Sequence, residues 1–172
     1  MAPKMIVILR HAEKDGPPDA PDTPVDVHLS KAGEQRAENL ETWIRRVCDG
    51  PPDYVFAAAN SDDSHRPIET MTPLASTLPA DRFITKYSKD DYKDLAHELL
   101  TDATFADKTV VVCWHHGKIP ALAGALGVDE AQMRTAPEYH HGKWASQVFD
   151  RFWILTFPQG GGVQFRSEPE GV

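Results

Sequence analysis

Three short stretches hold the residues best suited to chemistry on an anion: Arg10-His11, His65-Arg66 and His115-His116. Arginine offers a planar fork of donors matched to phosphate oxygens and stays charged at any relevant pH. A neutral imidazole beside fixed cations can attack phosphorus as a nucleophile. The cations disfavour protonation of that imidazole, which keeps its lone pair available. Two arginines and two or more histidines in one crevice would therefore suit a phosphoryl group.

The elements that carry these residues determine whether they meet. Residues 5–9 form a short apolar, β-branched run that reads as a buried strand and ends at Arg10-His11. Residues 15–26, with four prolines and four aspartates, read as an exposed acidic loop. Ser30 is the predicted N-cap of a helix with Glu34 in its first turn, and Gly50-Pro51-Pro52 ends it. Residues 53–58 give a second strand, followed by a polar loop into His65-Arg66-Pro67. The next helix is predicted to kink or restart at Pro73, with Thr72 as a new cap. A short edge strand (83–85) and a helix capped by Ser88 follow. Residues 109–114 are the strongest strand and end at His115-His116-Gly117. A helix is predicted from about Gly117 to Leu126, with Pro120 in its first turn and its free N–H groups aimed at the same crevice. A strand at 152–157 turns through Gly160-Gly161-Gly162 into an antiparallel partner at 163–166. This alternation implies an α/β three-layer sandwich, a mostly parallel sheet flanked by helices. In such a sheet the three strand ends share one edge, where ligands bind.

At 172 residues the chain amounts to about one domain, spanning 1–172. With 41% hydrophobic and 26% charged residues it has an ordinary globular composition, long enough to bury a core without staples. The net charge of −8 argues against nucleic acid as a partner. No apolar run approaches the roughly 20 residues of a membrane span, and no partner membrane is expected. Cys48 and Cys113 form neither a C-x-x-C pair nor a zinc spacing. The first residues lack a secretory pattern, so the expected location is cytoplasmic.

Four motifs in order carry a resemblance to a known family. Leu9-Arg10-His11-Ala12-Glu13-Lys14 resembles the strand-end Arg-His-Gly motif of the histidine phosphatase superfamily, the phosphoglycerate-mutase-like fold. Leu29-Ser30-x-x-Gly33-x-x-Arg36-Ala37 resembles its following helix start, Ser64-His65-Arg66-Pro67-Ile68-Glu69-Thr70 its second-arginine motif, and Trp114-His115-His116-Gly117-Lys118-Ile119-Pro120 its second-histidine motif. The resemblance implies that His11 takes the phosphoryl group as a covalent phosphohistidine. It implies that Arg10, Arg66 and His115 cradle the phosphate, that water hydrolyses the intermediate, and that neither metal nor cofactor takes part. Ala12 stands in place of the motif's glycine, and His116 stands where the acid-phosphatase branch has aspartate. The glutamate acid of the mutase branch has no matching motif here, which leaves Asp91 and His116 as candidate proton donors.

The implied activity is a phosphohydrolase acting on a small phosphomonoester or a phosphohistidine. Mutase-type phosphoryl transfer and a non-catalytic phospholigand-binding module on the same fold are the alternatives. A metal-dependent hydrolase using His11, His115 and His116 is disfavoured, because two arginines would repel the ion and no H-x-x-x-H or H-x-H spacing is present. His116 either lines the pocket or packs against it. His140-His141 reads as a solvated loop pair, and the 15–28 loop is placed to serve as a lid. Neither the natural substrate nor an oligomeric state is written in a readable motif.

Overall fold

The computed structural model describes residues 1–171. In chain order the elements are β1 (Met5–Arg10), α1 (Lys31–Cys48), β2 (Tyr54–Ala57), α2 (Arg66–Ala75), β3 (Phe83–Ile84), α3 (Tyr92–Thr101), β4 (Thr109–Trp114), α4 (Ile119–Ala125), α5 (Glu130–Met133), β5 (Tyr139–His140), β6 (Lys143–Trp144), β7 (Arg151–Thr156) and β8 (Gln164–Pro169). Six strands form one sheet in the order β3-β2-β4-β1-β7-β8, and β5 and β6 pair separately. The β3-β2-β4-β1 stretch is parallel, β7 runs antiparallel to β1, and β8 antiparallel to β7. The mostly parallel three-layer arrangement is the one the sequence implies.

Side-chain alternation explains the layers. Val7, Leu9, Val55, Ala57, Val111 and Cys113 point to one face and pack against Leu40 and Ile44 of α1 and Met71 and Leu74 of α2. Ile6, Ile8, Phe56, Val110, Val112 and Trp114 point to the other, against Leu95 and Leu99 of α3 and Leu122 of α4. Strands covered on both faces need apolar residues at every position, which is why their sequences run apolar without alternation. Arg10 pairs in register with Trp114, and Ala57 with Cys113, so the carboxyl ends of β1, β2 and β4 lie level.

The helix starts differ from the sequence reading in three places. α2 runs through Pro73 without a new cap, and the Thr72 hydroxyl instead donates to the Ile68 carbonyl at 2.7 Å. In a helix of ten residues the lost N–H falls near the end and costs no restart. α3 begins at Tyr92 rather than after Ser88, because Ser88 donates its N–H and hydroxyl to the Asp91 carboxylate, and Asp91 holds the N-cap position. α4 begins at Ile119, with the Lys118 and Ile119 N–H groups bonded to the His115 carbonyl, so these donors serve the turn and not the crevice. α5 and the β5–β6 hairpin are too short to show a period in sequence. His140 and His141 sit exposed at that hairpin's tip.

The start of α1 is fastened directly to the segment after β1. Ser30 donates its N–H and its hydroxyl to the Glu13 carbonyl at 3.0 and 3.2 Å, and accepts from the Gly33 N–H at 3.1 Å. Gly33 packs so closely that a Cβ would lie 2.3 Å from the same carbonyl oxygen. The glycine is therefore required by backbone approach and not by backbone angle. Gly33→Ala is expected to destabilise the fold by about 2 kcal/mol or more, since neither backbone can yield cheaply. Chemical denaturation with an unchanged midpoint would count against this account of the motif.

Candidate active site

The sheet edge brings five of the six candidate residues together, Arg10, His11, Arg66, His115 and His116, and leaves out Asp91. Arg10 ends β1 and is 1% exposed. Its Nη1 donates to the Ser146 carbonyl and to the Val148 carbonyl at 3.1 Å, and its Cζ lies 3.7 Å from the Phe149 ring centroid. The Trp144 indole N–H donates to the same Val148 carbonyl at 2.9 Å, so the chain after β6 forms a rigid shelf for the guanidinium. Burial is the main force lowering the Arg10 pKa, to about 9, helped by Arg66 and opposed by Asp22 and Glu13. The group still carries its charge at neutral pH.

His11 follows, fully enclosed, with its backbone N–H on the Trp114 carbonyl at 3.1 Å. Its Nδ1 lies 2.8 Å from the Ala12 carbonyl. A carbonyl only accepts, so Nδ1 carries the proton and the lone pair of the neutral ring is on Nε2. Desolvation, then His115 and Arg10, hold the His11 pKa well below the usual 6.5. Ala12 is buried without exposure, so its methyl group is accommodated. Its N–H donates to the Thr70 hydroxyl at 2.9 Å, and that hydroxyl donates to the Arg66 carbonyl at 2.7 Å. Thr70 thereby ties the second-arginine motif to the first.

Arg66 is the first residue of α2 and is fully buried. A cation there opposes the helix dipole and needs an anionic partner. Its Nη1 donates to the Asp26 carbonyl at 2.8 Å and its Nη2 to Asp22 Oδ1 at 2.5 Å. Among the described residues, Arg10 Nε and Arg66 Nε are buried donors with no hydrogen-bond partner. Two such orphans on neighbouring guanidinium groups mark a place for an acceptor-rich ligand.

His115 follows β4, its ring centroid 5.3 Å from that of His11 and inclined by 71°. Burial, Lys89 and the two arginines push its pKa down to about 4 against the pull of Asp22. His116 lines the pocket, its pKa also lowered to about 4, by burial first and then by Arg10. The pocket is a cavity of about 230 Å³ roofed by residues 18–22 and bounded by Arg10, His11, Lys14, His116 and Ser146. Asp91 is exposed and engaged with Ser88, and it does not line this cavity.

Two further residues belong to the site. Asp22, from the acidic loop, binds Arg66 and accepts from Lys14 Nζ at 3.2 Å. Burial works to raise its pKa, but Arg66 and Lys14 outweigh it and hold it below the usual carboxylate value. A carboxylate of the chain itself thus supplies the anion that the cationic pocket demands. Behind the pocket, Arg36 grips Glu13 through Nε at 2.9 Å and Nη2 at 2.7 Å, and Glu170 through Nη1 at 3.1 Å. That pairing accounts for Arg36 in the helix-start motif.

Imidazoles with lowered pKa values bind fewer protons folded than unfolded, so between about pH 6.5 and 4 they make stability fall as the pH falls. Ring signals of His115 and His116 followed by NMR are expected to titrate near pH 4, and that of His11 well below 6.5. Titration of all three near 6.5 would contradict the described burial and cationic surroundings.

No family model and no curated protein matches the chain. Solved structures do. A protein histidine phosphatase SixA complexed with tungstate superposes with a TM-score of 0.60 at 18% identity, covering 96% of both chains. Phosphoglycerate mutase from Plasmodium falciparum gives a TM-score of 0.60 at 14% identity, over 96% of this chain and 90% of that one. A mycobacterial glucosyl-3-phosphoglycerate phosphatase gives 0.56 at 16% identity, over 98% and 99%. The chain has the phosphoglycerate-mutase-like α/β fold that these phosphatase and mutase structures share.

Proposed function

We propose that the chain is a phosphohydrolase working through a phosphorylated His11. The observation that carries this reading is the His11 Nδ1 contact with the Ala12 carbonyl, which leaves Nε2 unprotonated beside two buried arginines with unpartnered donors. In the first step Nε2 attacks phosphorus and the bond from phosphorus to the leaving group breaks. The leaving group departs with the electron pair and, where it needs a proton, takes it from solvent. In the second step water attacks phosphorus, the phosphorus–nitrogen bond breaks, and phosphate and a proton are released. Arg10, Arg66 and His115 hold the three non-bridging oxygens and offset their developing charge, so catalysis is positioning and electrostatics in a dry site. No step calls for a metal or cofactor, since the guanidinium pair neutralises the oxygens as a metal would.

The substrate we propose carries a leaving group that needs little help, such as an aryl phosphate or a phosphohistidine. Of the candidate donors, His116 is held as the neutral imidazole, whose remaining N–H is a very weak acid, Asp22 is held ionised, and Asp91 lies outside the cavity. The nitrogen of a phosphoramidate is protonated readily before it departs, and a phenolate needs little protonation. One of the structural neighbours is a protein histidine phosphatase, which agrees with this choice.

Phosphate release from aryl phosphates graded by leaving-group pKa, and from a phosphohistidine peptide, tests the reading. The expected kcat/KM falls steeply as the pKa rises, persists in chelator, and drops by at least about 10³-fold in His11→Ala, with loss of an acid-labile phosphoenzyme. Undiminished turnover in His11→Ala would overturn the mechanism, and tight binding without any turnover would favour a non-catalytic module.

A further inference from the structure

A second cluster of ligating side chains lies outside the phosphoryl pocket, where the acidic loop rejoins the body of the protein. His65 precedes α2 and Glu69 follows one helical turn later, so both lie on one face of the helix. The His65 N–H donates to the Val27 carbonyl at 2.8 Å, which brings the next residue, His28, against that face. His28 Nδ1 lies 2.5 Å from Glu69 Oε1, and the His28 and His65 rings meet edge to face with centroids 5.3 Å apart. Among the described residues this is the only group of three or more histidine, cysteine or carboxylate side chains with ligand atoms mutually within 4.8 Å.

From this juxtaposition of His28, His65 and Glu69, we propose a site for a divalent transition-metal ion of the zinc type. Two imidazoles and one carboxylate are a donor set that suits zinc, whereas magnesium and calcium favour oxygen alone. Ligand atoms around an ion with bonds of about 2.05 Å sit about 3.3 Å apart, a contraction within reach of side chains already this close. The second carboxylate oxygen, Glu69 Oε2, accepts the Leu29 N–H at 2.9 Å, which orients the carboxylate from behind as outer partners of metal ligands do. The cluster borders a cleft of about 440 Å³, and the His28 side chain is 66% exposed, so an ion can enter and keep a water as its fourth ligand. The ion would clamp the loop bearing Asp22 to the helical turn that starts with Arg66. The proposal is independent of the hydrolytic reading, which routes no step through these residues.

The test is calorimetric titration of zinc into the whole chain, freed of metal by chelation and dialysis, with millimolar magnesium present throughout. The expected result is one equivalent bound with a micromolar or tighter Kd and a raised Tm. His28→Ala and Glu69→Gln should each weaken binding at least tenfold. Both are mild changes, one at an exposed ring and the other retaining an acceptor for the Leu29 N–H. His116→Ala should leave binding unchanged. Absence of stoichiometric binding would overturn the site. So would binding that survives both substitutions, or binding that is lost in His116→Ala, which would place the ion on the phosphoryl pocket.

Discussion

The constraint on which the site depends is the burial of two guanidinium groups at one edge of a parallel sheet. Removing a charge from water costs several kcal/mol unless partners compensate. Arg10 is compensated by two carbonyls after β6 and the face of Phe149, and Arg66 by the Asp26 carbonyl and the Asp22 carboxylate. Neither set is complete, because both Nε donors stay without partners among the described residues. The rest of the edge follows from these cations. They help keep His11, His115 and His116 neutral, and with Lys14 they draw the acidic loop down over the pocket. The globally acidic chain thus builds a small cationic cavity out of residues that the sheet forces inward.

Precision at this edge comes from backbone fastening. The carbonyl of Glu13 receives the start of α1, Thr70 joins the Ala12 N–H to the Arg66 carbonyl, and His11 is held by the carbonyl ending β4. Each bond links one motif to another, so β1, α1, α2 and β4 are registered to one another within hydrogen-bond tolerance. Arg36, between Glu13 and the buried Glu170, extends the same frame to the end of β8. Burial pushes the Glu170 carboxyl up, to about 8, against the pull of Arg36.

Much of this was legible in sequence because it is local. The apolar runs of β1, β2 and β4 name their own faces, and Arg10, His11, Arg66 and His115 follow directly from where those runs stop or the next helix starts. What was illegible is what depends on distant contacts. The loop offers Asp15, Asp19, Asp22 and Asp26, and only the fold selects Asp22 to meet Arg66. The shelf under Arg10 comes from Ser146, Val148 and Phe149, more than 130 residues away, beside a hairpin too short for periodicity. Asp91 stands as a candidate proton donor in sequence because nothing there reveals that Ser88 engages it.

The central claim is that the pocket is an anion site whose cations are held, in part, by the Asp22 carboxylate in its roof. Calorimetric titration of inorganic phosphate into the parent chain and into Asp22→Asn tests it most directly. Removing the internal competitor, and one negative charge beside Arg66 and Lys14, is expected to tighten phosphate binding by about tenfold or more, equivalent to roughly 1.4 kcal/mol. Unchanged or weaker binding in Asp22→Asn would contradict the claim.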